Sequence, residues 1–318
     1  MTKYFIQLND RVVPYGEATI HVGSAAMKYA ASVFEGIRGY WDAGRQRLHL
    51  FSLSEHVDRL LDSMKIMGME HDWSKERVIR NIHNIIMVNR LQEDCYVRVA
   101  ASVEADGPLE SKGPVLLSAA AFPMQRKPHA DQGIHISVSS WQRISDHMMP
   151  PRIKCIANYQ NGRLALLQAK SDGYDNTLLL NQNGKIAEAP TAAFFIVKNG
   201  MLITPAVTSG ILESITRRHI LNWAKKLGLP ADERELDRTE CYLADEAFLC
   251  GTGAEILPVV SVDRYELGCG RIGPVTALLM RQYFDAAYIR EQSLEPSVED
   301  IVIYPKEEIE NADAALPI

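Results

Sequence analysis

The runs Thr177-Leu-Leu-Leu-Asn-Gln-Asn-Gly-Lys-Ile-Ala-Glu188 and Phe194-Phe-Ile-Val-Lys-Asn-Gly-Met-Leu-Ile-Thr204 decide how the middle of the chain is built. Each sets two apolar stretches either side of an Asn-Gly pair. A type I′ turn needs positive φ at both central residues, which Asn-Gly accepts at little cost. The pattern predicts a β-meander with strands over 177–181, 185–188, 194–198 and 201–204. Beyond it, Ser214 caps a helix with Ile215, Ile220, Leu221, Ala224 and Leu227 inward, and Gly228 stops it. An apolar strand over 247–250 runs into Gly251-Thr-Gly-Ala-Glu255, and a last helix extends from Pro274 to about Tyr288.

Before the meander the order is a strand at 134–141, a loop rich in Met and Pro at 145–152, and a helix over about 158–171. Nearer the N-terminus, residues 4–8 and 11–13 read as a small hairpin. Val57, Leu60, Leu61, Met64 and Met67 mark a helix capped by Ser54. Val78, Ile79, Ile82, Ile85 and Ile86 mark another, capped by Ser74. Residues 95–103 alternate as a strand, with Tyr96 and Arg98 on one face and Val97 and Val99 on the other. The segment 124–133 is polar and interrupted by proline and glycine, so it is the expected boundary. This divides the chain into a small domain over 1–123, a linking loop over 124–133, a larger domain over 134–288 and an acidic tail over 289–318. Strands mixed with helices, twice over, imply two α+β-type domains rather than a doubly wound sheet.

Composition narrows the function. Thirty-four basic against forty acidic residues give a net charge of -6, and no Lys/Arg-rich run occurs, which argues against nucleic acid as a partner. No apolar run approaches the ~20 residues of a membrane helix, and the N-terminal stretch lacks a signal-peptide core. The five cysteines are scattered and odd in number, as expected of free thiols in a reducing cytoplasm. No metal-binding spacing appears.

Four short stretches carry chemistry: Phe34-Glu-Gly-Ile-Arg38, Lys154-Cys-Ile-Ala-Asn-Tyr159, Ser214-Ile-Thr216 and Gly251-Thr-Gly-Ala-Glu255. In this order, from about residue 6 to 285, the chain resembles the class IV (fold-type IV) pyridoxal-phosphate aminotransferases. The resemblance is closest to the branched-chain amino-acid enzymes. It is sharpest in Tyr242-Leu-Ala-Asp-Glu-Ala-Phe-Leu-Cys-Gly-Thr-Gly-Ala-Glu-Ile256 and Gly270-Arg-Ile-Gly-Pro-Val-Thr276. It implies a small N-terminal α/β sandwich and a larger C-terminal domain around a barrel-like sheet, with pyridoxal 5'-phosphate between them. It also implies a homodimer or higher homo-oligomer, and amino acids and 2-oxo acids as substrates.

Carried over residue by residue, Lys154 matches the Schiff-base lysine and proton shuttle, since only an amine can condense with the cofactor's aldehyde. Glu188 matches the carboxylate that keeps the pyridine nitrogen protonated. Tyr159 matches the tyrosine on the phenolic oxygen. Arg59, Ile215, Thr216 and Thr252 match the phosphate cup, and a helix N-terminus suits that task in any case. Tyr29, Phe34, Tyr96, Arg98, Thr252 and Gly253 match substrate-contacting positions. Arg98 in particular suits the side-chain carboxylate of glutamate or 2-oxoglutarate. The implied reaction is transamination of L-amino acids with apolar, branched side chains. Three features depart from the family: Met124 where tryptophan is usual, the stretch Ala189-Pro-Thr-Ala-Ala193, and the tail after Tyr288. They keep open a specialised biosynthetic, D-amino-acid or (R)-amine transaminase, or an aminodeoxychorismate lyase. A cofactor-binding protein without catalysis would need neither Lys154 nor Glu188.

Gly268-Cys-Gly-Arg-Ile-Gly273 satisfies the dinucleotide pattern G-x-G-x-x-G. That pattern requires a preceding strand in a βαβ unit and an acidic residue about twenty positions on, which here falls in the tail at Glu291. The glycines are therefore expected to be turn residues before the last helix, and a nicotinamide enzyme is the weaker reading.

Overall fold

The computed structural model describes residues 3–126, 130–290, 293–294 and 301–303. Most of the acidic tail, and 127–129 of the linking loop, lie outside the described residues. The first sheet comprises β1 (Phe5–Leu8), β2 (Arg11–Pro14), β3 (Ser32–Asp42), β4 (Arg47–Leu50), β5 (Cys95–Val103) and β6 (Val115–Pro123). The second comprises β7 (Ile134–Gln142), β8 (Asn176–Leu180), β9 (Ala193–Lys198), β10 (Met201–Thr204), β11 (Ala231–Glu233), β12 (Glu246–Gly251), β13 (Glu255–Val262) and β14 (Tyr265–Glu266). A strand from the tail, β15 (Ile301–Ile303), pairs with β4, so the first sheet reads β15-β4-β3-β5-β6-β1-β2, antiparallel throughout. The second reads β11-β10-β9-β12-β13-β7-β8 and is mixed, with β7 parallel to both β13 and β8.

Among the described residues, seven helices cover these sheets: α1 (Ala25–Tyr29), α2 (Leu53–Ile66), α3 (Lys75–Val88), α4 (Tyr159–Ser171), α5 (Ile215–Lys226), α6 (Arg238–Tyr242) and α7 (Pro274–Ala287). Helices α2 and α3 bury Val57, Leu60, Met64, Val78, Ile82 and Ile85 against the first sheet. At about 25 cal/mol per Å² of apolar surface, this face is what holds the two helices in place. Trp223 of α5 and Leu279 and Tyr283 of α7 pack on Phe195 and Phe248 of the second sheet. No described helix is long and apolar enough to cross a membrane.

Two expectations need correction. Helix α2 begins at Leu53 with Ser52, not Ser54, at its N-cap, and Ser52 bonds His219 instead of the helix. The arm 185–188 is extended but not a regular strand. Its ladder is reduced to single bridges, Leu180 with Ile186 and Lys185 with Asp237. The reason is the turn. Asn181 starts it, accepting Gly184 N–H at 3.0 Å, and only Gly184 has positive φ, at 74°. The loop is therefore longer than a two-residue I′ turn and shifts the register. At the second Asn-Gly, Asn199 (50°) and Gly200 (74°) both have positive φ, as a I′ turn demands. Ser74 caps α3 as expected, accepting Arg77 N–H.

A buried polar cluster ties the two sheets together. Arg38 of β3 donates to the Met124 carbonyl at 2.7 Å and to Glu255 of β13 at 3.2 Å. Tyr40 donates to the same carboxylate at 3.0 Å and meets Tyr283 of α7 at 2.8 Å.

The glycine-rich run at 268–273 is structural, as its context suggested. Gly268 and Gly270 have positive φ, and a side chain at Gly268 would strike the Asp245 carbonyl. The amides of Val275 and Thr276 at the start of α7 both donate to Glu246, at 3.0 and 2.7 Å. This helix N-terminus already holds an anion, the protein's own carboxylate, leaving no cradle for a pyrophosphate. Glu246→Ala is expected to cost about 1–3 kcal/mol of stability by orphaning one buried and one half-buried donor. Urea unfolding measures it, and a loss under ~0.5 kcal/mol would show that the cap contributes nothing.

Candidate active site

Strand β3 brings its neighbours together at one point. The Phe34 N–H donates to the Lys154 carbonyl at 3.0 Å, and Val33 bridges Cys155, so the segment after the Pro150-Pro151 turn lies along the first sheet. The Lys154 amide is held in turn by Ser63 of α2 at 3.2 Å. Asn158 donates to the Pro150 and Ile153 carbonyls, pinning the loop that carries the lysine.

The result is a cavity of about 400 Å³ between the two sheets. Phe34, Arg59, Tyr96, Arg98, Lys154, Tyr159, Glu188, Ile215, Thr252 and Gly253 all line it. Of the residues singled out in the sequence, only Tyr29 and Thr216 are absent from the wall. Thr216 is buried in the first turn of α5, one residue behind Ile215. Tyr29 ends α1 and is 44% exposed, outside its own chain's cavity.

At the centre, Lys154 Nζ donates to Tyr159 Oη at 2.8 Å. The Phe34 and Tyr159 rings lie 4.9 Å apart beside it. Deeper in, Glu188 is 6% exposed and takes a 2.6 Å ion pair from Arg143 and the Leu212 N–H at 3.2 Å. Burial pushes the Glu188 carboxyl above its ordinary range, against the opposing pull of Arg143.

A third region is rich in donors. Arg59 of α2 reaches it, as do Ser214 and Ile215 at the start of α5 and Thr252 in the turn after β12. The Ser214 side chain accepts from Arg217 N–H, an ordinary cap compatible with a role for the helix end. Opposite stands Arg98, its guanidinium 3.9 Å from the Phe34 ring centroid. Among the described residues no carboxylate pairs with it, so the surface salt bridge that would have explained an arginine on this strand is missing. A side chain at Gly36 would overlap the Tyr96 hydroxyl, so glycine keeps that wall thin.

Sequence reasoning missed Arg143, Glu35 and His56. Arg143 is a lone arginine just past a strand and carries no local signal. Glu35 lies inside the quoted Phe34-to-Arg38 stretch, and His56 is three residues before Arg59, on the same helix face. That spacing could have flagged both.

Comparison with known proteins agrees with this geometry. The family model for amino-transferase class IV matches residues 32–262. The branched-chain-amino-acid aminotransferase of Escherichia coli (strain K12) is 38% identical over 288 residues, covering 88% of this chain and 92% of that protein. The crystal structure of branched-chain amino acid aminotransferase from Thermobaculum terrenum in its PLP form superposes with a TM-score of 0.86 at 39% identity, covering 90% of this chain and 94% of that one. The branched-chain aminotransferase of the thermophilic archaeon Thermoproteus uzoniensis, in its structure with norvaline, gives 0.86 at 34% identity, covering 91% and 96%. The match spans both sheets and the cavity between them, and on that basis this chain belongs to the class IV aminotransferases.

Proposed function

We propose that the protein is a pyridoxal-phosphate-dependent branched-chain amino-acid aminotransferase that uses L-glutamate and 2-oxoglutarate as amino partner. The observation that carries the reading is the spacing of three kinds of group in one cavity. An amine and a phenol lie in contact at its centre, a buried carboxylate at one side and a donor-rich helix end at another. The residues fit the cofactor. Glu188, buried in the cavity wall with its carboxylate held by Arg143, suits a protonated ring nitrogen. Arg59, Ile215, Thr216 and Thr252 suit a phosphate, and Tyr159 suits the phenolic oxygen. Bound there, pyridoxal phosphate supplies an electron-poor ring that accepts the electron pair left at the substrate Cα.

The protein's own groups do the rest. Lys154 Nζ would take the proton from the substrate Cα and deliver it to the cofactor carbon that receives the amino group. Tyr159 holds Nζ in line by their 2.8 Å contact. Glu188 would face the ring nitrogen, with Arg143 fixing its carboxylate plane. Arg98 and Tyr96 receive a carboxylate, and Phe34 and Met124 give an apolar wall for a branched side chain. Met124, with Pro190 and Thr191 in the lining, also supports a second reading, a transaminase specialised for a different side chain.

A steady-state assay with L-leucine and 2-oxoglutarate tests the proposal. Arg98→Met is expected to raise KM for 2-oxoglutarate about 10²-fold while leaving L-leucine within a few-fold. An equal loss for both substrates would contradict the role given to Arg98.

The same reading includes a homodimer. Val22 (76%), Met27 (58%) and Leu109 (70%) are exposed apolar residues, in the turn before α1, on α1 itself and on a loop tied to α1 by the Lys28–Asp106 pair at 2.8 Å. Such a patch is what a second copy would cover, carrying Tyr29 toward the other cavity. Sedimentation should give at least twice the chain mass, and a stable monomer at micromolar concentration would sink this part.

A further inference from the structure

Glu35 is fully buried on β3, and its carboxylate is saturated. Arg59 grips it with two prongs, Nε to Oε1 at 2.6 Å and Nη2 to Oε2 at 2.9 Å. His56 Nδ1 meets Oε2 at 2.7 Å. Burial alone would raise this carboxyl, but Arg59 and His56 together hold it far below the usual range, so it is ionised. Burial pulls the His56 imidazole below its ordinary range, against the opposing pull of Glu35. With Nδ1 bonded to Glu35, the opposite ring nitrogen Nε2 meets the Thr252 hydroxyl at 3.3 Å. Arg59 Nη1 also donates to the Glu213 carbonyl at 2.8 Å, one residue before the α5 cap. One carboxylate outside the cavity lining thus fixes the rotamers of two residues inside it, and ties one of them to the α5 end.

We infer that Glu35 and His56 are positioning residues for the phosphate of the cofactor, acting through Arg59 and Thr252; this rests on the function proposed above. The electrostatics make the claim sharp. A buried negative charge near a phosphate dianion opposes binding, so Glu35 can favour the phosphate only by geometry. Removing its charge should tighten binding if charge governs and loosen it if position governs.

The test compares pyridoxal phosphate with pyridoxal, which lacks the phosphate, by titrating the visible band of each on the purified protein. Glu35→Gln is expected to raise the dissociation constant for pyridoxal phosphate about tenfold or more and that for pyridoxal less than about twofold. A parallel loss for both would make Glu35 merely structural, and tighter pyridoxal phosphate would make it a charge effect; either overturns the inference. Should Glu35→Gln fail to fold by circular dichroism, His56→Leu keeps the Glu35–Arg59 pair and removes the His56 contacts to Glu35 and Thr252. It is expected to weaken pyridoxal phosphate alone, by about threefold or more, with the same overturning results. If the unaltered protein binds both compounds equally, the phosphate cup itself is misassigned, an outcome distinct from a failure of Glu35 alone.

Discussion

Lys154→Ala is expected to keep its fold and lose amino-group transfer by about 10⁴-fold or more, the upper range for a positioned proton-transfer group. Lys154 is the only lysine among the described residues of the cavity wall. The arginines there, 59, 98 and 143, cannot replace it, because a guanidinium does not give up its proton. The side chain is only partly buried and its Nζ makes one hydrogen bond, to Tyr159. Its loss should therefore change stability by less than about 1 kcal/mol. Rates measured with saturating pyridoxal phosphate, beside a thermal unfolding curve, check both halves. Activity within about tenfold of the unaltered protein would remove Lys154 from the chemistry.

The second large effect lies at Glu188. Glu188→Gln preserves shape and removes charge, and is expected to lower kcat by about 10²–10³-fold, as loss of a preorganised electrostatic partner does elsewhere. The same change leaves Arg143 buried with no counter-charge, at 8% exposure. A broken buried pair costs about 3–5 kcal/mol, so stability should fall as well. The two consequences separate in the kinetics. Loss of folded protein lowers the apparent enzyme concentration and leaves KM alone. A weakened ring contact lowers kcat per active site, counted by bound cofactor. A variant with normal kcat per bound cofactor would show that Glu188 serves only to neutralise Arg143.

Much of the site was legible because its chemistry resides in short contiguous motifs. Lys154 and Tyr159 sit five residues apart, and Thr252 and Gly253 share one turn. What was not legible depends on contacts between distant segments. Strand β3 was missed because its residues are buried on both faces, including Glu35 and Arg38, which are paired inside. A period-of-two reading assumes that charged residues point to water. Pro258 lies within β13, where it pairs Phe248, and disguised that strand. The turn at 181–185 was misread because the side chain of Asn181, not the Asn-Gly pair, organises it: its Oδ1 accepts the amides of Asn183 and Lys185. Tyr29 shows a different limit. It matches a substrate-contacting position in the motif, yet it is exposed at the end of α1 and does not line the cavity.

The most direct test is the visible absorption of the purified protein before and after adding L-leucine, L-glutamate or D-alanine. A yellow band that is lost in Lys154→Ala, and that L-leucine and L-glutamate bleach while D-alanine does not, is the result expected here. Bleaching by D-alanine alone would move the assignment to a D-specific enzyme. No band, even with pyridoxal phosphate supplied, would contradict the central claim that Lys154 carries this cofactor.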